Sequence, residues 1–325
     1  MSLLRYLVEE LQKAKCDFFL LVDARCGDEF KSLPKVEYRV ASLGSRKAFY
    51  KDHVGMFSSV LCFGNIPPPI HLNARVYTYL HNINLLKIPK MYPWKRRLKD
   101  FMKQRVIDYY GKNTDSWIVQ TENTKDEIKK HLLSGRKHVM VLPFYRLNEE
   151  LIEAKYIIEG RTDYAFIGDL SYPRGHGIIL EVWKELHKRG IDKTLHITVS
   201  NDNERRRAYC HQVKLLQEKG VRIVNHGSIP FSEVISIYKK TKAIVYPSLN
   251  ESLGLSIIEA IESGCAVLAS DLPYVYCICQ PTAVFNYNSV NSICDAIIQF
   301  DSSGGKKSVL LIQDMIGEII RIIKS

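Results

Sequence analysis

No apolar run in this 325-residue chain approaches the roughly 20 residues that a membrane-spanning helix needs. The opening segment MSLLRYLVEELQK carries acidic residues where a secretory leader has an uninterrupted apolar stretch, so neither export nor membrane spanning is expected. Paired C-x-x-C spacing is missing as well. The eight cysteines, at 16, 26, 62, 210, 265, 277, 279 and 294, are scattered through segments that read as strands and helices. They read as reduced thiols rather than zinc ligands. Cys277 and Cys279 form one C-x-C pair, with no second pair or nearby histidine to complete a metal site. Also absent are internal repeats, low-complexity tracts and any long tract too polar to fold. The sequence has no D-x-D carboxylate pair in a loop suited to a metal ion, and no recognition-helix, zinc-finger or RNP-type signature.

What the chain has is size and positive charge. Its length exceeds the usual span of one hydrophobic core, so two domains of roughly 150 residues each are expected. Lys+Arg number 46 against 35 Asp+Glu, a net charge of +11 that favours polyanions: nucleic acid, phosphorylated ligands or anionic headgroups. With no nucleic-acid signature beside it, nucleic acid is not expected as a partner.

Short strands rich in β-branched and aromatic residues alternate with helical segments: DFFLLVD (17–23), SVLCFG (59–64), VYTYLH (76–81) and WIVQT (117–121). The rhythm resumes with YAFIGDL (164–170), LHITVS (195–200), VRIVNHG (221–227), AIVYPS (243–248), CAVLAS (265–270) and AVFNY (283–287). That alternation predicts an α/β protein with parallel sheets. The expected division is an N-terminal domain over 1–148, a linker over 149–162 and a C-terminal domain over 163–305. A C-terminal helix over 306–325 is expected to return to the first domain. Parallel sheets bind ligands beyond the carboxyl ends of their strands, which singles out the loops after Gly168, Gly227 and Ser248.

The richest stretch is YPSLNESLGLSIIEAIESGCAVLASDLP (246–273), which reads as strand end, tight loop, helix, glycine stop and strand. Leu255, Ile257, Ile258 and Ile261 supply the helix with an apolar face, and Gly264 stands where a left-handed residue ends it. A helix start near Ser252 to Leu255 leaves backbone N–H groups around Gly254 and Leu255 unpaired, a setting that suits a diphosphate. Glu251 lies before the helix and Glu259 about one turn inside it, so two carboxylates can face one ligand from different heights. One can take the vicinal hydroxyls of a ribose and the other those of a hexose. The plain alternative is a surface helix with ordinary glutamates.

Pro247, Ser248, Glu251, Gly254, Leu255, Glu259, Ala260, Gly264, Val267, Ala269 and Ser270 stand in register with P-S-x-x-E-x-F-G-L-x-x-x-E-A-x-x-x-G-x-P-V-x-A-S. That pattern is the signature of the retaining glycosyltransferases of family 4, which this chain resembles. The resemblance implies the GT-B fold, two Rossmann-like domains facing across a cleft. It also implies that Glu251 holds the donor sugar and Glu259 the nucleotide ribose, with Ser252, Gly254 and Leu255 among the donor-binding positions. Ser252, Leu253 and Cys265-Ala266 depart from the usual glycine, aromatic and small-residue-proline, which touches loop shape more than polar chemistry.

FIGDLSYPRGHG (166–177) corresponds to the family's G-R-L-x-x-x-K-G, whose arginine and lysine grip the donor diphosphate. Arg174 falls at the lysine position and is a donor-phosphate candidate, while Asp169 stands where the arginine is usual. His81, at the end of VYTYLH, matches a histidine that family members carry near the donor sugar, and it can donate to or accept from a hydroxyl. Asn65 in FGNIPPP is a further donor-site candidate, or simply a turn residue. Family members open with a strand and a glycine-rich loop. This chain starts directly in LLRYLVEELQKA, so either the true start lies upstream or the first domain lacks both.

The implied reaction is retaining transfer of a hexose from a UDP- or GDP-linked sugar to a glycan or polyprenyl-diphosphate-linked acceptor, with no metal or other cofactor. Its expected place is assembly of a surface polysaccharide such as O-antigen or capsule, in the cytoplasm or on the inner face of the cytoplasmic membrane. The segment KIPKMYPWKRRLKDFMKQRVIDYYGK (87–112) interleaves Lys and Arg with aromatics, which suits either anionic membrane or a solvated helix face. Two rival functions keep the same fold: a nucleotide-sugar hydrolase or epimerase, and a non-catalytic nucleotide-sugar-binding subunit.

Overall fold

The computed structural model describes residues 3–146, 148–154, 160–170, 174–303 and 306–324. Residues 155–159 of the expected linker and 171–173 of the loop before Arg174 lie outside these described residues. The chain divides into two compact units, Met1–Arg146 with Asp314–Ser325, and Leu147–Gln313.

The first unit opens with α1 (Leu3–Lys13), β1 (Leu20–Asp23), β2 (Val36–Arg39), α2 (Leu43–Asp52), β3 (Ser59–Cys62) and β4 (Arg75–Leu80). It continues with α3 (Trp94–Tyr110), β5 (Ser116–Val119), α4 (Glu122–His131) and β6 (His138–Val141). Strands β3-β4-β5-β6 form a parallel sheet in that order, and β1 and β2 form a separate parallel pair. On one side of β4 and β5, Tyr77, Tyr79 and Ile118 pack with Leu7 and Leu11 of α1. Leu80, Trp117 and Val119 instead join Ile107 of α3 and Ile128 of α4. Burial on both faces explains the nearly continuous apolar run of β4 and β5.

The second unit contains α5 (Glu149–Ala154), β7 (Asp163–Phe166), α6 (His176–Lys188), β8 (Leu195–Ile197), α7 (Glu204–Gln217) and β9 (Ile223–Asn225). Then come α8 (Phe231–Tyr238), β10 (Thr241–Tyr246), α9 (Leu255–Glu262), β11 (Ala266–Ser270) and α10 (Pro273–Tyr276). The unit closes with β12 (Cys279–Gln280), β13 (Ala283–Phe285), α11 (Val290–Ser303) and β14 (Val309–Leu310). Its six-stranded sheet runs β13-β11-β10-β7-β8-β9, parallel throughout. The chain winds outward from β7 through β8 to β9, then returns to lay β10 on the other side of β7. The strand order therefore reverses between β7 and β10, and ligands of such sheets bind beyond the carboxyl ends of the strands at that reversal.

The segment read as one helix over 306–325 is divided. Val309 and Leu310 pair antiparallel with Gln280 and Cys279 in the second unit, and the helix proper, α12, covers only Ile316–Lys324. Helical apolar spacing begins at Ile316, and Ile316, Ile319 and Ile320 join the cluster of Leu7 and Leu11 in the first unit. Asp314 fixes the crossing: Tyr6 donates its hydroxyl to Oδ2 at 2.6 Å and the Tyr145 N–H donates to Oδ1 at 3.1 Å. The sequence reading also passed over β2 and the β12–β14 pair.

Because α12 closes a core started by the far end of the chain, Ile319→Ala should destabilise the first unit by about 2 to 4 kcal/mol. Urea unfolding followed through that unit's amide exchange would show it; an unchanged midpoint would mean that α12 is not part of that core.

Candidate active site

The loop from the end of β10 to the start of α9 is built from the inside. Ser248 is fully buried, and the Tyr274 hydroxyl donates to its carbonyl at 2.9 Å. Gly254 has φ +68°, a backbone conformation that favours glycine, and a Cβ on it would also sit tightly against Ile278 Cδ1 at 3.0 Å. The first intrahelical bonds of α9 run from Ile257 and Ile258 N–H to the Gly254 carbonyl, so the N–H groups of Leu255 and Ser256 belong to the open first turn. The Ser256 hydroxyl donates to the Ile167 carbonyl at 3.0 Å, tying that turn to the end of β7. At the other end Gly264 has φ +79°, and the Cys265 N–H reaches the Ala260 carbonyl at 2.8 Å, a left-handed stop.

Three donors converge on one oxygen of Glu251. Its Oε1 accepts from the Tyr246 hydroxyl at 2.9 Å and the Ser248 hydroxyl at 3.1 Å, and Arg174 Nε stands 3.3 Å away. Arg174 reaches it across Gly168, where a Cβ would lie 2.4 Å from the guanidinium. The side chain therefore needs glycine beneath it.

Glu259, one turn inside α9, accepts from the Tyr238 hydroxyl at 3.1 Å on Oε2. Burial pushes its carboxyl up from the ordinary 4.5 to about 7, against the opposing pull of Tyr238 and Arg174. The group is thus poised between neutral and charged near physiological pH.

Asp169, at the position where an arginine is usual, pairs with the Arg206 guanidinium. Arg206 lies in the first turn of α7, beyond the end of β8, and also donates to both oxygens of Asp202 at 2.7 and 2.6 Å. A cation thus compensates Asp169, and it comes from a different strand-to-helix connection. His176, the first residue of α6, is buried against the edge of Phe166, with its ring nitrogens unbonded among the described residues. Burial lowers its imidazole to about 4, so it is neutral at pH 7.

His81 and Asn65 belong to the first unit and meet there. The Asn65 amide oxygen accepts from the backbone N–H of His81 at 2.8 Å and of Asn82 at 3.0 Å, and Asn65 itself holds φ +66°. Asn65 therefore shapes the turn after β4. The His81 ring packs edge-on against Phe63, its Nδ1 is buried without a hydrogen bond among the described residues, and burial lowers its pKa to about 4.

Of the residues singled out in the sequence, Arg174, Glu251, Ser252, Gly254, Leu255 and Glu259 come together at the β7–β10 reversal. Tyr238, Tyr246, His176 and Arg206 were not anticipated. The two tyrosines lie in what reads as plain apolar core, and nothing in the spacing marks Arg206 as the partner of Asp169.

Residues 148–307 match the family described as glycosyl transferases group 1. A D-inositol 3-phosphate glycosyltransferase of Corynebacterium aurimucosum is 29% identical over 185 residues, covering 52% of this chain and 42% of that relative. The chain spans less than half the length of the curated relatives it matches. Among solved structures, Staphylococcus aureus TarM bound to Fondaparinux, α-GlcNAc-glycerol and UDP superposes with a TM-score of 0.62 at 17% identity, covering 86% of this chain and 55% of that one. The lipopolysaccharide outer core galactosyltransferase WaaB gives 0.55 at 13% identity, over 91% and 81% of the two chains. The chain has the GT-B fold, with a parallel sheet in each of two Rossmann-like units.

The raised pKa of Glu259 fixes the sign of a stability effect. A carboxyl that titrates higher folded than unfolded opposes folding once ionised, so its penalty grows as pH rises from 4.5 through about 7. Glu259→Gln should therefore raise the thermal unfolding midpoint at about pH 8 and leave it nearly unchanged at about pH 5. Equal shifts at both values would mean that the carboxyl titrates normally.

Proposed function

We propose that this chain is a retaining glycosyltransferase that moves a hexose from a UDP- or GDP-linked sugar to a glycan or polyprenyl-diphosphate-linked acceptor. Its place in this reading is surface polysaccharide assembly, O-antigen or capsule, at the inner face of the cytoplasmic membrane. The observation that carries the reading is the pair Glu251 and Glu259, presented at two heights from one helix start at the strand reversal, with Arg174 beside them. The relatives support it: one is a glycosyltransferase acting on an inositol phosphate, one binds UDP, and one is a lipopolysaccharide galactosyltransferase.

In this reading Glu259 accepts the ribose hydroxyls, Glu251 accepts hydroxyls of the hexose, and Arg174 with the N–H groups of Ser252, Gly254 and Leu255 takes the diphosphate. As the bond from C1 to the diphosphate oxygen breaks, negative charge grows on the leaving group. Donors fixed in place beforehand stabilise that charge by a few kcal/mol each, without a metal. The acceptor oxygen bonds to C1 from the same face, and its proton passes to the departing diphosphate. His81, held neutral, serves a sugar hydroxyl as a hydrogen-bond partner. Asn65 acts through the turn that carries His81.

Calorimetric titration with UDP and GDP tests the donor site. One of the two should bind, and Glu259→Ala should weaken it roughly tenfold to hundredfold through lost charged hydrogen bonds of about 1.5 to 3 kcal/mol. Because ribose prefers the ionised carboxylate, affinity should rise with pH through about 7 and then level. Binding of neither nucleotide would overturn the reading. Release of free sugar from the donor without transfer would point to the hydrolase on the same fold, and binding without turnover to the non-catalytic subunit.

Arg206→Ala leaves Asp169 uncompensated next to the diphosphate loop. It should weaken UDP or GDP by roughly twofold to fivefold, since the Asp169 side chain is 64% exposed, while leaving the bare nucleoside unaffected, and Asp169→Ala in the same chain should restore most of the loss. Equal loss for nucleotide and nucleoside would make Arg206 a support of the fold alone.

A further inference from the structure

Helix α3 shows solvent an apolar stripe that the rest of the first unit does not cover. Trp94, Leu98, Phe101, Met102 and Tyr109 recur at helical spacing and are all exposed, as is Met91 just before them. Contacts on the inward face and at the edge of the stripe pin the helix against rotation. Gln104 donates to the Leu86 carbonyl at 2.7 Å, Ile107 is fully buried, and Asp108 accepts from the Ser134 N–H and hydroxyl at 3.1 and 3.2 Å. The stripe cannot turn inward without breaking these contacts.

The flanks of the stripe are cationic. Residues 87–112 hold nine Lys and Arg against two Asp. Arg96 and Lys103 share Asp100 at 3.6 and 3.8 Å, whereas Lys95, Arg97, Lys99 and Arg105 have no carboxylate partner among the described residues. Several cations lie over the exposed rings: Lys112 stands 4.4 Å from the Tyr109 centroid and Arg105 5.5 Å from that of Phe101. Long stems beside apolar bodies, with charged ends able to reach outward, are the side-chain set of an interfacial helix.

We infer that α3 lies in the headgroup layer of an anionic membrane, with Trp94, Leu98, Phe101 and Met102 in the acyl boundary and the lysines and arginines on lipid phosphates. Charge complementarity selects this occupant. Two copies of the chain meeting here would oppose like charges. A polyanion without an apolar layer would take the cations and leave the stripe in water. An anionic bilayer surface takes both. The inference rests on the proposed membrane-borne acceptor for its purpose, while its geometry is independent of the donor site.

Trp94 provides the probe, because it is 68% exposed while Trp117 and Trp183 are 0% and 1% exposed. The full chain is mixed with vesicles of equal parts phosphatidylglycerol and phosphatidylcholine, with vesicles of phosphatidylcholine alone, or with none. With anionic vesicles the Trp94 emission should shift to the blue, brominated acyl chains should quench it, and the protein should float with the lipid. Leu98→Ser with Phe101→Ser, and separately Lys95→Glu with Lys99→Glu, should each lower partitioning by roughly tenfold or more. Both variants should keep the far-UV circular dichroism and thermal midpoint of the wild type, which shows that they are folded, and Glu259→Ala should float like the wild type. Unchanged emission with anionic vesicles, or a serine variant that binds them as well as the wild type, would overturn the inference. A blue shift without lipid that grows with protein concentration would overturn it in favour of self-association. If vesicles bind but neither nucleotide does, the donor reading fails and this inference stands; the reverse result separates them the other way.

Discussion

The meeting of Tyr246, Ser248 and Arg174 on a single oxygen of Glu251 sets the shape of everything at the carboxyl end of β10. A carboxylate beyond a buried strand loses hydration that protein donors must replace. Tyr246 is the last residue of that strand, Ser248 is fixed by burial, and Arg174 arrives from the neighbouring β7 connection across a residue that must be glycine. The loop between β10 and α9 can close in few other ways. Its closure puts the open first turn of α9, tied by Ser256 to the end of β7, where a charged ligand can meet it.

The same logic explains why Asp169 does not spoil the site. A bare carboxylate beside Arg174 would repel an anionic ligand. Arg206 instead approaches from α7 and holds Asp169 together with Asp202. The parallel pairing of β7 with β8 makes this affordable in geometry, since it brings the connections after the two strands side by side. Charge is thus carried by the arrangement of three connections rather than by one motif.

How much could be read beforehand follows from the range of each signal. The start of α9 at Gly254, its stop at Gly264 and the two glutamates on either side of its first turn are local matters of backbone freedom and helical period. Spacing alone shows them. Arg206 answers Asp169 from 37 residues along the chain, and Tyr238 answers Glu259 from 21; such pairings exist only once the sheet order is known. The C-terminal segment misled for a related reason, because a two-residue strand at Val309–Leu310 has no period to detect and gains its pairing from β12. In α3 the basic charge was legible but the direction of its apolar face was not. Period says that a helix has faces, while only Gln104, Ile107 and Asp108 say which one is turned inward.

Arg174 and Glu251 are best understood as partners that hold each other's place. Neither side chain is fully buried, so solvent screens part of their attraction and the ion pair alone does not fix them. Each is nevertheless kept in position by other means, Arg174 by its passage over Gly168 and Glu251 by two hydroxyls. A ligand bringing a diphosphate and a sugar would offer phosphate oxygens to the first and hydroxyls to the second. The exchange replaces one charge-assisted contact with two, and the side chains need not search for new positions. Most of the ordering entropy is then met in folding rather than in binding, which is what pre-organisation means for a site that must stabilise charge as it develops.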